Sequence, residues 1–380
     1  MFLSGAASVG LLVAITCGVA FLLCRIDWGS GNALYKTPKK IADYLYSIEY
    51  NDYREDPDLE ASSKLEAFGC SSVHNGNYYG RNFDYIFNDT PEFVVKVNEK
   101  DGRHASIGVA MHSGLREAQM SKGEYNKQLE IIPNFTLDGI NDVGVIASIN
   151  VVPGKDDMGE FTGTNPGAES LHVEHAVRYI LDNANSADNA IELLGSRNLY
   201  GDAVGGEYYI HIMIADRNKT YIVEFIDNKM VAVEKTGDEQ IMTNFYNNIP
   251  ELTDHAAGIE RYAILKENYE QGGASMSEMR NLMARVRYSN AYAYSTMPAW
   301  SSEMMPQSVL NNPDSEAYAL YVSAVENIIK DYWIHKENDM RAPADSRFWH
   351  TTHNSVYDID NRKLRITIQE DYKNYYDFTL

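Results

Sequence analysis

The sequence predicts an α+β fold with sheets sandwiched between layers of helix. Three observations carry that prediction. Strand-like and helix-like patterning alternate in blocks along the chain: strands, helices, strands, helices, strands. Gly, Asn and Asp clusters punctuate the strand blocks where turns are needed. Of the 380 residues, 44% are hydrophobic and 23% charged, which supplies a large core and rules out wholesale disorder.

The N-terminal end comes first. Ala6 to Leu23 carry no charge and are dominated by Val, Leu, Ile and Phe. At about 1.5 Å per residue this run just crosses a hydrocarbon core of about 30 Å. No basic stretch precedes it and no clear small-x-small site follows, so residues 1–24 read as an uncleaved membrane anchor in preference to a secretory signal. Arg25, Lys36, Lys39 and Lys40 follow, which by the positive-inside rule points the remainder to the cytoplasm. The acidic body and the anchor suit an external role, and a membrane-anchored or secreted protein on the extracytoplasmic side is the favoured expectation. Residues 25–69 form a separate region. Ile41, Leu45 and Ile48 recur at helical spacing after Pro38 and predict a short amphipathic helix. Asn51 to Asp58 reads as a polar loop.

From Cys70 the texture is that of strands. Tyr78 to Tyr85 follows the Asn75-Gly76-Asn77 turn, and Phe93 to Val97 and Ser106 to Met111 flank Lys100-Asp101-Gly102. Val143 to Val152 is an apolar strand broken at Pro153-Gly154. A helix is expected from Ser170 to Asn183, with Leu171, Val173, Ala176, Val177, Ile180 and Leu181 on one side. A shorter one, capped by Ser186, carries Ala190, Ile191, Leu193 and Leu194. Strands resume at Glu207 to Ala215, Thr220 to Ile226 and Met230 to Val233. Helices are expected to dominate from Ala256 to Trp333, and a hairpin about Asp360-Asn361-Arg362 closes the chain.

Charge and cysteine content exclude several functions. Lys and Arg total 33 against 54 Asp and Glu, a net charge of −21 that repels a polyanion, so no nucleic-acid partner is expected. Of three cysteines, Cys17 and Cys24 lie in the apolar segment, leaving Cys70 for everything globular. A disulfide-stapled domain and a zinc site built on several cysteines are thereby excluded. His172 and His175 are three apart, with no third ligand or HExxH pattern, and read as a surface helix. Gly201, Gly205 and Gly206 lack Walker spacing. Asn88, Asn134 and Asn218 head glycosylation sequons of the kind an Asn-rich chain acquires by chance. No cofactor or metal is called for.

Cys70 opens a strand, and a hairpin returns Gly80-Arg81-Asn82-Phe83-Asp84-Tyr85 beside it. With a period of two, Asn82 and Asp84 share one face and Arg81 and Phe83 the other, so either charged residue can approach the sulfur. On spacing alone an ordinary Arg-Asp surface hairpin is the favoured reading.

Phe68-Gly69-Cys70-Ser71-Ser72 followed by Gly80-Arg81-Asn82-Phe83-Asp84 resembles the start of the choloylglycine hydrolase family of N-terminal-nucleophile (Ntn) amidases, which includes bile salt hydrolases, penicillin V acylases and ceramidase-like relatives. The resemblance continues in order over residues 70–380. Asp138-Gly139-Ile140-Asn141-Asp142-Val143-Gly144 through Asn150 looks like the family's D-G-x-N-x-x-G segment and following strand. His175 to Leu181 resembles its first long helix, Ile241-Met242-Thr243-Asn244 its L-T-N strand, Gly258-Ile259-Glu260-Arg261-Tyr262 the site of its late arginine, and Trp349 to Asp358 its C-terminal hairpin. The resemblance implies an αββα four-layer sandwich and cleavage of Gly69–Cys70 by the cysteine itself, making residues 25–69 a propeptide. It implies Cys70 as nucleophile, Asp84 holding the freed α-amine, Arg81 favouring the thiolate, and Asn150 and Asn244 as the oxyanion hole. Arg261 would complete the polar network, with Arg285 and Arg287 as substitutes if the helix register slips. Penicillin V acylases often carry a tyrosine where Asn150 stands, which disfavours that substrate. The expected substrate is a small N-acyl amide with an apolar acyl part, and a homo-oligomer is compatible with the sequence. Two rival readings stand beside it. A papain-like cysteine protease needs a helix starting at the nucleophile and a partner His, and a non-catalytic membrane-tethered binding protein would merely bury Cys70.

Overall fold

The computed structural model describes residues 34–54, 70–85, 90–112, 115, 121–153, 166–201, 208–248, 258–287 and 350–380. The apolar segment 1–24 and the greater part of the expected helical region after Arg287 lie outside the described residues. No helix among the described residues is long and apolar enough to cross a membrane.

In chain order the elements are β1 (Lys39–Ala42), β2 (Leu45–Tyr50), β3 (Ser71–Asn75), β4 (Tyr78–Tyr85), β5 (Glu92–Val97), β6 (Ser106–Met111), α1 (Lys122–Ile131), β7 (Thr136–Asn141), β8 (Ile146–Pro153), β9 (Ser170–His172), α2 (Ala176–Asn183), α3 (Ala187–Gly195), β10 (Asn198–Tyr200), β11 (Tyr208–Ala215), β12 (Thr220–Ile226), β13 (Lys229–Lys235), β14 (Ile241–Met242), α4 (Ile259–Glu267), α5 (Tyr269–Gly272), α6 (Met276–Arg285), β15 (His350–Asp358), β16 (Lys363–Ile368) and β17 (Tyr376–Thr379). This is an α+β chain. Nine strands form one sheet in the order β1-β2-β5-β6-β7-β8-β11-β12-β13, and six form a second in the order β14-β3-β4-β15-β16-β17.

The sheets face each other through alternate side chains. Val94, Ile107, Val109, Ile140, Ile146 and Met213 of the larger meet Tyr79, Tyr357, Leu364 and Ile366 of the smaller. Each such aliphatic side chain, fully buried, contributes about 1.5–3 kcal/mol. On the other face of the larger sheet Ala147, Ile149, Val151 and Ile212 pack with Val177, Ile180 and Leu181 of α2 and Leu194 of α3. Beyond the smaller sheet Val73, Ile241 and Val356 pack with Leu265 of α4 and Met279, Leu282 and Met283 of α6.

Two expectations are corrected. The helix predicted after Pro38 is the hairpin β1–β2, turning at Asp43 and Tyr44, where Tyr44 has φ +63°. The spacing of Leu45 and Ile48 mimics a helix because the two are buried on opposite faces of β2. Leu45 points into the core between the sheets, while Ile48 and Tyr50 pack on the opposite side with Leu129 and Ile132. β2 runs parallel to β5, in register from Leu45 against Glu92 to Tyr50 against Val97. Tyr50 also donates its hydroxyl to the Leu129 carbonyl at 2.7 Å, and Asn134 donates to the Arg54 carbonyl at 2.7 Å. The second correction lies at Ser170. The first three residues of the expected helix are strand β9, parallel to β10, with Leu171 opposite Leu199, and the α-helix begins at Ala176. His172 and His175 therefore sit at the junction and not on a surface helix. His172 is buried, and its ring meets those of His175 and Tyr200 edge-on. Among the described residues no His, Cys, Asp or Glu group has metal-binding geometry.

Candidate active site

Cys70 immediately precedes β3 and is fully buried. The Asn75-Gly76-Asn77 turn brings β4 back antiparallel, pairing Ser71 with Asn82 and Ser72 with Arg81. Period-two alternation then divides the strand. Arg81 faces the larger sheet, where it donates to Asp138 at 2.8 Å and to the Ile149 carbonyl at 2.6 Å. Nη2, the nitrogen that bonds Ile149, also lies 3.8 Å from Cys70 Sγ. Asn82 and Asp84 face the helices. Asn82 donates to the Met283 carbonyl of α6 at 2.9 Å. Asp84 accepts from Thr351 Oγ1 at 2.6 Å and lies 3.5 Å from Arg261 Nη1.

Arg261 enters from the first turn of α4 and ties the site together. Nη1 donates to the Cys70 carbonyl and Nη2 to Asn244 Oδ1, both at 2.6 Å. Gly258, just before the helix, makes this approach feasible. It sits at φ +76°, and a Cβ there would lie 2.5 Å from Arg261 Nη2. Arg285 and Arg287 are exposed and directed to Asn268 and Glu370, so of the three arginines only Arg261 reaches Cys70.

Asn150 and Asn244 come together from different elements. Asn150, on β8, donates to the Thr243 carbonyl at 3.3 Å, and Asn244, just after β14, donates to the Val151 carbonyl at 2.6 Å. Each amide thus grips the backbone next to the other. His211 reinforces the junction, its Nε2 lying 2.8 Å from the Thr243 carbonyl.

The electrostatics follow from burial and from these pairings. Burial pushes the Cys70 thiol upward, the Arg81 charge opposes that shift, and Asp84 adds to it. Burial likewise raises Asp84 to about 7, although Arg261 and the Thr351 hydroxyl pull the other way. Its Oδ2 has no hydrogen-bond partner among the described residues. Asp138 behaves oppositely. Burial would raise it, but Arg81 and His353 outweigh burial and hold it well below the usual carboxylate range.

Three buried groups in this centre had no expected role: Asp138, His353 and Glu92. Asp138 heads the D-G-x-N segment, and that position was its only signal. His353 and Glu92 lie on strands of different sheets and have no local signature.

No protein-family model matches the chain, and no curated protein matches it. Some solved structures are similar to it. A mutant of the conjugated bile acid hydrolase from Clostridium perfringens is 14% identical, over 82% of this chain and 92% of that one, with a TM-score of 0.42. The penicillin V acylase from Agrobacterium tumefaciens is 15% identical, over 82% and 86%, with a TM-score of 0.41. A second variant of the Clostridium perfringens enzyme is 12% identical, over 82% and 88%, with a TM-score of 0.37.

Proposed function

We propose that this chain is the precursor of an Ntn cysteine amidase of the choloylglycine hydrolase type, with an αββα sandwich, which hydrolyses the linear C–N bond of an N-acyl amide. The single observation that carries the reading is the setting of Cys70. One residue at a strand start has its sulfur beside the Arg81 guanidinium, its carbonyl held by Arg261, and close by a buried carboxylate whose Oδ2 faces Arg261 at 3.5 Å without a hydrogen bond.

Maturation begins when Sγ attacks the Gly69 carbonyl carbon. The Gly69–Cys70 C–N bond breaks as the thioester forms, which frees the α-amine of Cys70, and water then hydrolyses the thioester to the Gly69 carboxylate and the free thiol. Before that cut the nitrogen is an amide and cannot take a proton. Afterwards it is an amine of pKa about 7.7–8.0, matched to a thiol of about 8.5, and serves as the base for its own sulfur. Asp84 Oδ2 holds the ammonium. In turnover Sγ attacks the acyl carbonyl, and the oxyanion is met by the Asn150 backbone N–H and the second N–H of the Asn244 amide. The intermediate collapses as the α-ammonium protonates the leaving amine, and water hydrolyses the acyl-thioester. Neither step requires a histidine at the sulfur. That separates the scheme from a papain-like protease, as does the strand that Cys70 opens. The apolar acyl group that the family resemblance implies suits a bile acid conjugate or a fatty acyl amide, and the N-terminal segment would hold the precursor at a membrane, facing outward.

Intact-mass analysis of the full chain tests the reading. The wild type yields a fragment beginning at Cys70, and Cys70→Ala remains uncut. Cleavage at the same bond in Cys70→Ala removes self-processing. A panel of acyl amides varying chain and head group then identifies the substrate, and alkylation of Cys70 abolishes turnover.

A further inference from the structure

Arg81 is not the only nitrogen-bearing side chain that meets Asp138. Arg81 Nη1 and His353 Nε2 converge on the same oxygen, Asp138 Oδ2, at 2.8 and 3.1 Å. The other ring nitrogen, His353 Nδ1, lies 2.7 Å from Glu92 Oε2. All four side chains are within 1% of complete burial. A neutral imidazole carries one N–H and one lone pair. Either neutral tautomer would therefore set a lone pair beside a carboxylate oxygen, whereas the imidazolium hydrogen-bonds Asp138 through Nε2 and places its charge at ion-pair distance from Glu92, a contact made without hydrogen-bond geometry. The ring is fixed in that pose by stacking on Phe83, with centroids 5.4 Å apart and planes 24° from parallel.

The groups around the ring come from every strand that packs on it. Glu92 faces it from β5, Asp138 from β7, and Arg81 from β4 with Nη1 at 3.4 Å. Ser355 and Tyr357 on its own strand reach it only through Asp138 Oδ1, at 2.7 and 2.5 Å. Burial by itself would strip the ring of its proton, and the two carboxylates outweigh burial and push it up to about 9.

We propose that His353 is a positioning residue for the chemistry at Cys70. As an imidazolium clamped between Glu92 and Asp138, it shares the neutralisation of Asp138 and leaves positive charge on Arg81 to act on the sulfur. The inference rests on the amidase reading for its purpose. With a neutral residue at 353, Asp138 would draw on Arg81 alone, the site would carry one more net negative charge, and the thiolate would be harder to form.

Two measurements on the full-length protein decide it. The first needs no substitution. In protein carrying ring-15N histidine, with the His353 signals assigned through contacts to the Phe83 ring, both ring nitrogens are expected to stay protonated from pH 5 to 8. A neutral ring at pH 7 overturns the proposal. The second follows iodoacetamide alkylation of the Cys70 peptide by mass spectrometry as a function of pH. His353→Gln is expected to raise the midpoint by about one pH unit, roughly tenfold less thiolate below it. An unchanged midpoint in a folded His353→Gln overturns the proposal. Should that variant not fold, the ring measurement on the wild type still decides. Thiol titration reports whether or not any acyl amide is cleaved. A shifted midpoint without hydrolysis condemns the amidase reading alone, and hydrolysis without a shift condemns this one alone.

Discussion

Asp84 is a buried carboxyl with one oxygen engaged by Thr351 and the other without a hydrogen bond. In the uncut chain that arrangement has a measurable cost. Its pKa is raised by burial from 3.8 to about 7, so between those values the folded chain holds a proton that the unfolded chain has released. Stability attributable to this residue therefore falls as pH rises from about 4 to 7. At about 1.4 kcal/mol per unit, the full penalty is on the order of 4 kcal/mol above pH 7. In a Cys70→Ala background, which keeps the chain whole, Asp84→Asn should withstand more urea than its parent at pH 8, with the margin vanishing near pH 4. Equal margins at both pH values would show that ionisation of this group is not what is being relieved. Gly258 allows a second test. The Cβ introduced by Gly258→Ala must displace the Arg261 guanidinium. Self-cleavage should slow at least tenfold, while the melting temperature, read in parallel, falls only a few degrees.

At the scale of elements, β2 matters most. Tyr50 is completely buried and hydrogen-bonded to α1. Tyr50→Ala should cost about 3–5 kcal/mol by urea titration, and Tyr50→Phe about 1 kcal/mol. The residues just after β2 are fastened as well. Tyr53 bonds Asp182 on α2, and Arg103 reaches Asp52 at 3.2 Å. If Gly69–Cys70 is cut, both pieces should co-elute by size exclusion and separate only in denaturant. Independent elution in native buffer would contradict the pairing with β5. This element also marks where sequence patterning fails. Turns with local chemistry were legible: Asp101 and Gly102 at φ +52° and +86° sit where the hairpin was expected, and Ser186 caps α3 by accepting from Asn189 at 3.1 Å. β2 was not, because Leu45 and Ile48 are buried on opposite faces of the strand, and apolar residues three apart imitate a helical repeat. β9 was not, because Leu171 and Val173 fit a helix face as readily as three residues of strand.

Across the whole molecule, the site is assembled from both sheets and from the helices behind the smaller one. Cys70, Arg81 and Asp84 could be grouped from sequence because one tight hairpin joins them. Asn150, Asn244 and Arg261 could be placed only through resemblance, since nothing in local patterning brings β8, β14 and α4 together. The Glu92–His353–Asp138 chain was invisible, as it exists only where two sheets meet face to face. The parallel seam between β2 and β5 carries one last consequence. A polypeptide begun at Cys70, imitating the matured form, would leave the β5 backbone unpaired along a strand that carries Phe93, Val95 and Val97. Such a raw margin is a template for other chains. Shortened this way the protein should precipitate, and supplying residues 34–54 as a separate peptide should keep it in solution.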